Sequence, residues 1–290
     1  MSRPLGKRLW RETTTAWREV VSAEDEATIM DWPVTSDYHE KQGRSTGRVV
    51  LGQGKLVIYL KRHWKLPAWR APLAWAWPQG AWSPAAREWK QLLWARAQGF
   101  MVPEPLAMGQ YVASGWRLQS YLALRELTGM LPLHQAIPEA YTRMPTAQFQ
   151  RWKAKLLEKV ATIARNLHAQ HRYHKDLYLC HFYVQQPALQ QSDPGDVALI
   201  DLHRLAHHRW WSRRWQTKDL AQLFFSMWGV AGLEGADRLL LFQHYQQQKT
   251  LNYAAQQLFL AAMRKAYRYA RHNRIDTDIP ATIAPQNQAA

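Results

Sequence analysis

Two carboxylates that flank a short predicted hairpin constrain this sequence more than any other feature. One apolar run covers Phe182 to Val184, and a second covers 197–200 and ends at Asp201. The residues between the two runs include prolines, a glycine and many polar side chains, which is typical of a turn. Such a hairpin brings Asp201 close to Asp176 and His181, which precede the first run.

These three side chains suit phosphoryl transfer. Asp176 is an acceptor-only base that could position an attacking hydroxyl, while Asp201 is a second carboxylate and His181 a possible metal ligand. Mg²⁺ prefers oxygen ligands and offsets the charge of substrate phosphates. The stretch therefore predicts a phosphoryl-transfer site.

The chain is strongly basic. Its 38 Lys and Arg against 22 Asp and Glu give a formal charge of +16, with an isoelectric point near 10.1. This charge implies an anionic partner, which could be nucleic acid, a membrane surface or a phosphorylated substrate. The single cysteine, Cys180, excludes an internal disulfide and fits a reducing cytoplasm. No stretch approaches the roughly 18 apolar residues of a membrane span, so we expect a soluble or peripheral protein.

Two strands with a tight turn are predicted near the N-terminus. Residues 48–51 and 55–61 form the strands, Gly52 and Gly54 form the turn, and Lys61 ends the second strand. On this pattern alone, Lys61 is one more surface lysine. The preceding polar loop, 42–48, is a candidate for covering phosphates, although it lacks a full Gly-x-Gly-x-x-Gly pattern. Its candidate side chains are Arg44, Ser45 and Thr46.

Residues 62–84 are rich in tryptophan, arginine and proline, and the prolines argue against a long helix. Indole rings interleaved with cations suit a lipid headgroup boundary. The alternative is that the rings pack inward against the core.

A helix with Pro84 at its first position follows, and Glu88 lies in its first turns. Glu88 could interact with the helix dipole or pair with Lys61.

Further elements follow in order. We expect strands at 111–113 and 116–124 with a turn at Ser114-Gly115, a lobe boundary near Leu124 to Thr128, and an amphipathic helix at 148–170.

The chain is basic again after Asp201, with three histidines among the arginines. A tetrahedral metal site is not expected there, because no nearby carboxylate or cysteine completes it. A basic surface for an anionic acceptor is expected instead. A helix from Lys218 to Trp228 would use Asp219 as a cap. Two helices follow within 236–272, and a polar, disordered tail is expected at 275–290.

The sequence resembles the lipopolysaccharide core kinases, the Kdo/WaaP family of bacterial small-molecule kinases with a protein-kinase-like fold. The resemblance covers most of residues 44–230. It is carried by the sequences HKDLYLCHF from His174, VALIDLHR from Val197, RRW followed by KDL from Arg213, and REW from Arg87. It implies an α+β bilobal fold, with an antiparallel sheet and one main helix in the N-lobe (1–125), a mostly helical C-lobe (126–274) and the tail.

The resemblance also implies roles for single residues. Lys61 would hold the α- and β-phosphates of ATP with Glu88 as its helix partner, and Asp176 would orient the acceptor hydroxyl and take its proton. Asp201 would bind Mg²⁺, and His181 stands where protein kinases keep a metal-binding Asn. Glu126 and Leu127 would form the hinge beside the adenine, and Asp219 would be the buried carboxylate that braces the catalytic loop.

Three departures from protein kinases argue against a regulated protein kinase. Lys175 replaces an arginine, Asp201 is followed by Leu-His, and no Ala-Pro-Glu follows. The resemblance implies a kinase that uses ATP and Mg²⁺ to phosphorylate a heptose hydroxyl of the anionic lipopolysaccharide inner core. It implies a cytoplasmic protein, peripheral on the inner face of the inner membrane.

Other interpretations of the function stay open. A Kdo kinase, another small-molecule or lipid-linked kinase, and a membrane-docking pseudokinase are the alternatives. Nucleic acid is not an expected partner, because no zinc-finger or RNA-binding motif is present.

Overall fold

The computed structural model describes residues 7–34, 43–67, 69–113, 116–186 and 192–273. The chain divides into two compact units, Met1–Thr128 and Gly129–Ala290. The sequence places this division near Leu124 to Thr128. The predicted turn at Ser114-Gly115 and the predicted tail at 275–290 lie outside the described residues. Within the described part of the chain, no helix has the length and apolarity needed to cross a membrane.

The first unit contains a five-stranded antiparallel sheet. Its strands are β1 (Lys7–Thr13), β2 (Arg44–Leu51), β3 (Leu56–His63), β4 (Pro105–Ala113) and β5 (Arg117–Arg125), in the order β1-β4-β5-β3-β2. Side chains alternate between the two faces, so every second residue of a strand shares a face. Leu56, Ile58 and Leu60 of β3 are buried on one face, packed with Trp17, Ile29 and Tyr121.

Four helices accompany this sheet: α1 (Thr15–Arg18), α2 (Ala23–Ala27), α3 (Arg70–Ala76) and α4 (Pro84–Ala97). The sequence signals for α4 are confirmed. The Ser83 side chain accepts a hydrogen bond from the Ala86 N–H, Pro84 is the first helical residue, and Gly99 follows with φ of +77°. This left-handed backbone conformation costs little energy only for glycine, which explains why the helix ends here.

The tryptophan-rich segment contains both packed and exposed rings. Trp64 and Trp82 pack against the hydrophobic clusters of the first unit. Trp69, Trp75 and Trp77 are exposed by 61%, 54% and 64%. The prolines do not exclude a helix, because the short helix α3 contains Pro72 in its first turn, where no N–H is needed.

Two strands are longer than predicted. β4 begins at Pro105 rather than near Tyr111, and β2 begins at Arg44 rather than Arg48. The predicted loop at 42–48 is therefore wrong for Arg44 to Gly47. These polar residues form a strand because β3 continues to His63 and pairs with all of them.

The second unit is mostly helical. Its helices are α5 (Leu133–Arg143), α6 (Thr146–Ala169), α7 (Ser212–Ser226), α8 (Gly235–Gln246) and α9 (Tyr253–His272). Its short strands are β6 (Met130–Pro132), β7 (Arg172–Tyr173), β8 (Phe182–Gln185), β9 (Val197–Leu199) and β10 (Ala206–His207). The predicted helix at 148–170 is confirmed as α6, and the two helices predicted within 236–272 are α8 and α9.

Helix α7 differs from the prediction. It begins at Ser212, so Asp219 lies in its middle and does not cap its start. The first turns of α7 read Ser-Arg-Arg-Trp-Gln-Thr-Lys and carry no apolar periodicity, which explains why the sequence pattern missed them.

A buried carboxylate ties the first unit together. Glu26, on α2, accepts hydrogen bonds from Arg11 on β1, from Trp17 Nε1 at 3.1 Å and from the Tyr121 hydroxyl on β5. Burial by itself raises the pKa of Glu26, but the bonds from Arg11, Tyr121 and Trp17 outweigh it and the pKa lies below its usual range. The ionised carboxylate therefore joins α2 to two strands of the sheet.

Replacing this carboxylate tests that role. We expect Glu26→Gln to lower the free energy of unfolding of the first unit by about 3 kcal/mol, because Arg11 and Tyr121 lose a charged partner. Since the folded-state pKa is depressed, the wild-type advantage is full above the ordinary glutamate pKa of about 4.3 and is lost as pH falls below it. Urea unfolding of both proteins from pH 7 to pH 3 measures the difference, and a constant difference over this range would contradict the assignment.

Candidate active site

The predicted hairpin is formed by β8 and β9, with Phe182 opposite Leu199 and Val184 opposite Val197. The Ile200 N–H extends the pairing by donating to the His181 carbonyl at 2.9 Å. The next residue, Asp201, has φ of +61°, so the chain turns away from the strand there. The hairpin therefore fixes Asp201 beside His181.

Asp219 holds the backbone that leads to Asp176. Its carboxylate is fully buried and accepts from the N–H groups of His174 at 2.7 Å and Lys175 at 2.8 Å. His168 Nε2 lies 3.3 Å from the same carboxylate. Lys175 has φ of +68°, a costly conformation for a non-glycine residue, and these bonds hold it.

Two further side chains of α7 bind the same loop. Gln222 Oε1 accepts from the Leu177 N–H at 3.4 Å, and Ser226 Oγ accepts from the Leu179 N–H at 2.8 Å. With Asp219, these residues are spaced by three and four positions, which places them on one face of the helix. This spacing of polar residues in an otherwise apolar part of the helix is the sequence pattern from which their contact with the loop could have been predicted.

His174 links the loop to the hairpin. Its ring is fully buried, and its Nε2 lies 3.0 Å from the Ile200 carbonyl, immediately before Asp201. Burial, together with the nearby His181, lowers the pKa of His174. The ring is therefore neutral and donates from Nε2, which connects the segment before Asp176 to the residue before Asp201.

Asp201 and His181 form the candidate metal position. His181 Nδ1 lies 2.7 Å from the Asp176 carbonyl, and its Nε2 lies 3.9 Å from the Asp201 carboxylate. Asp201 is also 2.9 Å from His203 Nδ1. Burial lowers the pKa of His181, but Cys180, the Asp176 carbonyl and Asp201 together raise it above its usual value.

The donor set fits Mg²⁺ through Asp201. A magnesium ion is commonly held by one or two carboxylates, with water and substrate phosphates as its other ligands, and Asp201 supplies such an oxygen. Because His181 donates from Nδ1, only its Nε2 remains for a ligand. Within the described residues, no group of three or more His, Cys, Asp or Glu side chains is arranged to hold a metal by itself. A magnesium ion here would therefore need phosphate oxygens.

Arg204 contacts the predicted base directly. Its Nη1 lies 2.9 Å from Oδ1 and 2.8 Å from Oδ2 of Asp176. The side chain of Arg204 is half exposed, whereas that of Asp176 is mostly buried. The sequence analysis grouped Arg204 with a basic surface and did not predict this ion pair. The short helical turn after Asp201, Leu202–Arg204, produces it.

More cations surround Arg204 and Asp176. The Lys218 ammonium donates to the Lys175 carbonyl, and Lys175 Nζ lies 4.6 Å from the centre of the Trp215 ring. Burial, and then the charge of Arg204, lowers the pKa of both lysines. Three cations, Arg204, Lys175 and Lys218, therefore lie near Asp176.

In the first unit, Lys61 and Glu88 are brought together. Lys61 Nζ, on β3, donates to Glu88 Oε1, on α4, at 2.7 Å, and both side chains are largely buried. Lys61 is thus not an isolated surface lysine. The pair fixes the ammonium at the sheet face next to α4.

The three candidates of the predicted phosphate loop separate onto two faces. Thr46 is directly opposite Lys61 in the β2–β3 register, so Thr46 and Arg44 share its face. Ser45 lies on the other face, is buried, and its hydroxyl accepts from Arg62 Nε at 3.1 Å. Gly47 packs so closely on Val34 that an added Cβ would lie 2.5 Å from the Val34 Cβ. Ser45 is therefore not placed with Lys61.

Glu126 and Leu127, the predicted hinge residues, are near the end of the first unit. The Glu126 carboxylate accepts from Arg48 Nε at 2.7 Å and Nη2 at 3.2 Å, and its N–H donates to the Val57 carbonyl at 3.0 Å. The side chain of Glu126 is therefore already engaged within the sheet.

Comparison with known proteins agrees with this geometry. The lipopolysaccharide core heptose(I) kinase WaaP of Escherichia coli is 30% identical over 146 residues, which is 50% of this chain and 54% of that protein. The WaaP of Pseudomonas aeruginosa is 28% identical over 161 residues, 56% of this chain and 59% of that protein. The chain thus matches a little over half the length of these curated relatives.

A solved structure described as WaaP in complex with acyl carrier protein shares the fold. It aligns with a TM-score of 0.65 and 23% identity, over 89% of this chain and 98% of that chain. The predicted α+β, protein-kinase-like fold is confirmed by this similarity. The family description "Lipopolysaccharide kinase (Kdo/WaaP) family" matches residues 36–250, which include Lys61, Glu88, Asp176 and Asp201. The chain therefore belongs to the lipopolysaccharide kinase (Kdo/WaaP) family.

Proposed function

We propose that this protein transfers a phosphoryl group from ATP to a sugar hydroxyl of the lipopolysaccharide inner core, with a heptose as the acceptor. The family supports the reaction class, and relatives named heptose(I) kinase support the acceptor. A Kdo hydroxyl or another lipid-linked acceptor is the nearest alternative.

The buried Lys61–Glu88 ion pair is the observation that carries the proposal. A lysine paired with a buried carboxylate is the arrangement that protein-kinase-like enzymes use to hold ATP phosphates. A pseudokinase that serves only for docking has no need of this pair or of Asp176 and Asp201. Both pairs of residues are present in this chain, which favours an active kinase.

We assign the roles as follows. Lys61 holds the α- and β-phosphates, and Thr46 and Arg44 are on the same sheet face to assist. Asp201, with His181 Nε2 nearby, would hold Mg²⁺, which offsets phosphate charge when bound. Glu126 and Leu127 are the proposed hinge beside the adenine, with a backbone role, since the Glu126 side chain binds Arg48.

Asp176 is the proposed catalytic base. It orients the acceptor hydroxyl and takes its proton as the bond to phosphorus forms. Arg204 fixes the orientation of the Asp176 carboxylate, and the acceptor hydroxyl replaces Arg204 at one of its oxygens. Positioning of this kind supplies much of the catalysis in phosphoryl transfer, where little covalent chemistry falls to the protein.

The cations near Asp176 suit an anionic acceptor. Arg204, Lys175 and Lys218 lie around it, and the whole chain carries a formal charge of +16. A negatively charged core oligosaccharide matches this field better than a neutral sugar does. No motif of nucleic-acid recognition accompanies the charge, so we do not propose such a partner.

We further propose that the protein works in the cytoplasm at the inner face of the inner membrane. The acceptor is linked to lipid, and the three exposed tryptophans of 69–77 are amphipathic rings suited to the headgroup region. These side chains make residues 69–77 the proposed lipid contact of the first unit.

Asp176→Asn tests the reaction. We expect it to lower phosphate transfer from radiolabelled ATP to dephosphorylated lipopolysaccharide core by roughly 10²- to 10⁴-fold, because the amide cannot take the proton. The control is Asp193→Asn, an exposed carboxylate in the same unit, which should leave transfer unchanged. Full turnover by Asp176→Asn would refute the assignment. A melting temperature that Mg-ATP does not raise would favour the pseudokinase.

Arg204 is tested by a pair of variants. We expect Arg204→Gln to lower kcat roughly 10- to 100-fold with little change in KM for ATP, because Asp176 loses its orientation. Because Nη1 alone makes both contacts, a single ammonium can replace it, and Arg204→Lys should restore part of kcat. Equal kcat for wild type and both variants would exclude a positioning role.

Asp219→Asn tests the brace of the catalytic loop. The amide has one acceptor oxygen for two N–H donors, so one of the His174 and Lys175 N–H groups is left unpaired. We expect the second unit to lose about 1–3 kcal/mol of unfolding free energy and transfer activity to fall with it. Thermal unfolding and the same transfer assay measure both effects. Wild-type stability together with wild-type activity would show that the brace is dispensable.

A further inference from the structure

Six cations surround a cavity on the helical unit that the proposed reaction does not use. The cavity has a volume of about 530 Å³ and is formed by α7 and α9. Its basic residues, here called the α7–α9 groove cations, are Arg213, Arg214, Arg264, Lys265, Arg268 and Arg271. Thr217, Ala261 and Tyr267 complete its lining.

None of these six cations forms an ion pair with a carboxylate within the part of the chain that is described. Elsewhere in the protein, Lys61, Lys153 and Arg11 each bind an acidic side chain. The groove is therefore a concentration of positive charge with which no carboxylate of the described residues is paired.

The charges act on one another across the two helices. Burial, and then the charges of Arg268 on its own helix and Arg214 on α7, lowers the pKa of Lys265. On α9, Arg264, Arg268 and Arg271 are spaced by four and three residues, so they lie on one helical face. Like charges held this close oppose folding, and a bound anion with several negative oxygens would relieve the repulsion.

Exposed indoles lie next to the groove. Trp210 and Trp211, just before α7, are exposed by 83% and 72%. The Arg214 guanidinium lies over the Trp211 ring at 5.7 Å and the Trp215 ring at 5.5 Å. Exposed tryptophan beside arginine is a combination suited to a lipid surface, where the ring enters the headgroup region and the cation meets phosphate.

We propose that the α7–α9 groove binds the phosphate headgroup of an anionic lipid, with Trp210 and Trp211 inserted beside it. The proposal does not depend on kinase chemistry and gives the second unit a lipid contact of its own. Charge complementarity selects phosphate, and the paired exposed indoles select a lipid over a soluble polyanion.

Sedimentation with vesicles, without nucleotide, tests the proposal. Wild-type protein should bind vesicles that contain phosphatidylglycerol and should bind pure phosphatidylcholine vesicles much more weakly. Each basic residue near an anionic surface is worth roughly a factor of five, so Arg264→Gln with Arg268→Gln should weaken binding roughly 10- to 30-fold. The matched control is Arg151→Gln with Lys249→Gln, which removes the same charge from two exposed positions of the same unit.

The control pair should change vesicle binding by less than about threefold. Equal losses for the two pairs would overturn the groove assignment and indicate attraction to the net charge alone. Equal binding to both kinds of vesicle would overturn the role of the net negative charge of the headgroup. Wild-type binding that persists above roughly 0.5 M salt would also contradict an electrostatic contact with the headgroup. This measurement needs no variant.

Soluble anions identify other occupants. If pyrophosphate, poly-glutamate or a single-stranded oligonucleotide binds through Arg264 and Arg268 while vesicles do not, the lipid proposal is overturned in favour of that ligand. Trp210→Ser with Trp211→Ser separates the indoles from the charge. This variant should weaken vesicle binding but leave pyrophosphate binding unchanged, and unchanged vesicle binding would contradict the insertion of the indoles.

Discussion

The buried carboxylate of Asp219 is the contact on which the arrangement around Asp176 depends. It accepts from two consecutive N–H groups, one of them on a residue with left-handed backbone, and lies beside the His168 ring. A buried charge is costly unless its hydrogen bonds are complete, and here the backbone completes them. The polar part of α7 thereby sets the path of a loop that has no regular secondary structure.

Hydrogen bonds that involve backbone atoms connect that loop to the hairpin. His174 contacts the Ile200 carbonyl, and the Ile200 N–H binds the His181 carbonyl. The Asp176 carbonyl in turn accepts from His181. Each carboxylate of the proposed site thus lies next to a residue that hydrogen bonds hold in position. Sites built this way hold their geometry because few side-chain torsions stay free.

The sequence predicted those parts of the fold that rest on local patterns. Apolar spacing predicted α6 and the β8–β9 hairpin, and Ser83, Pro84 and Gly99 predicted α4. The loop expected at 42–48 is a strand because pairing with β3, and the bond from Arg62 to Ser45, decide its conformation. Such long-range pairing leaves no mark in the local composition.

The candidate site follows the same rule. The motifs predicted Asp176, Asp201, Lys61 and Glu88 as candidate site residues. The pairing of Lys61 with Glu88 was predicted as one of two alternatives. The bond from Arg204 to Asp176 was not, because it follows from the left-handed turn at Asp201. Asp219 was assigned to a helix start because the helix begins with residues of no apolar period. Side-chain contacts that depend on such turns can be recognised only in the three-dimensional structure.

The contact of Arg204 with both oxygens of Asp176 has a consequence for selectivity between acceptors. Water is small, always present and able to attack a phosphoryl group wherever a general base stands open. A base covered by a guanidinium offers a lone water little help, since a single molecule gains too few contacts to displace the arginine. An anionic sugar can engage the arginine and the carboxylate together. For the reaction proposed above, the resting ion pair would protect ATP from hydrolysis until the acceptor arrives.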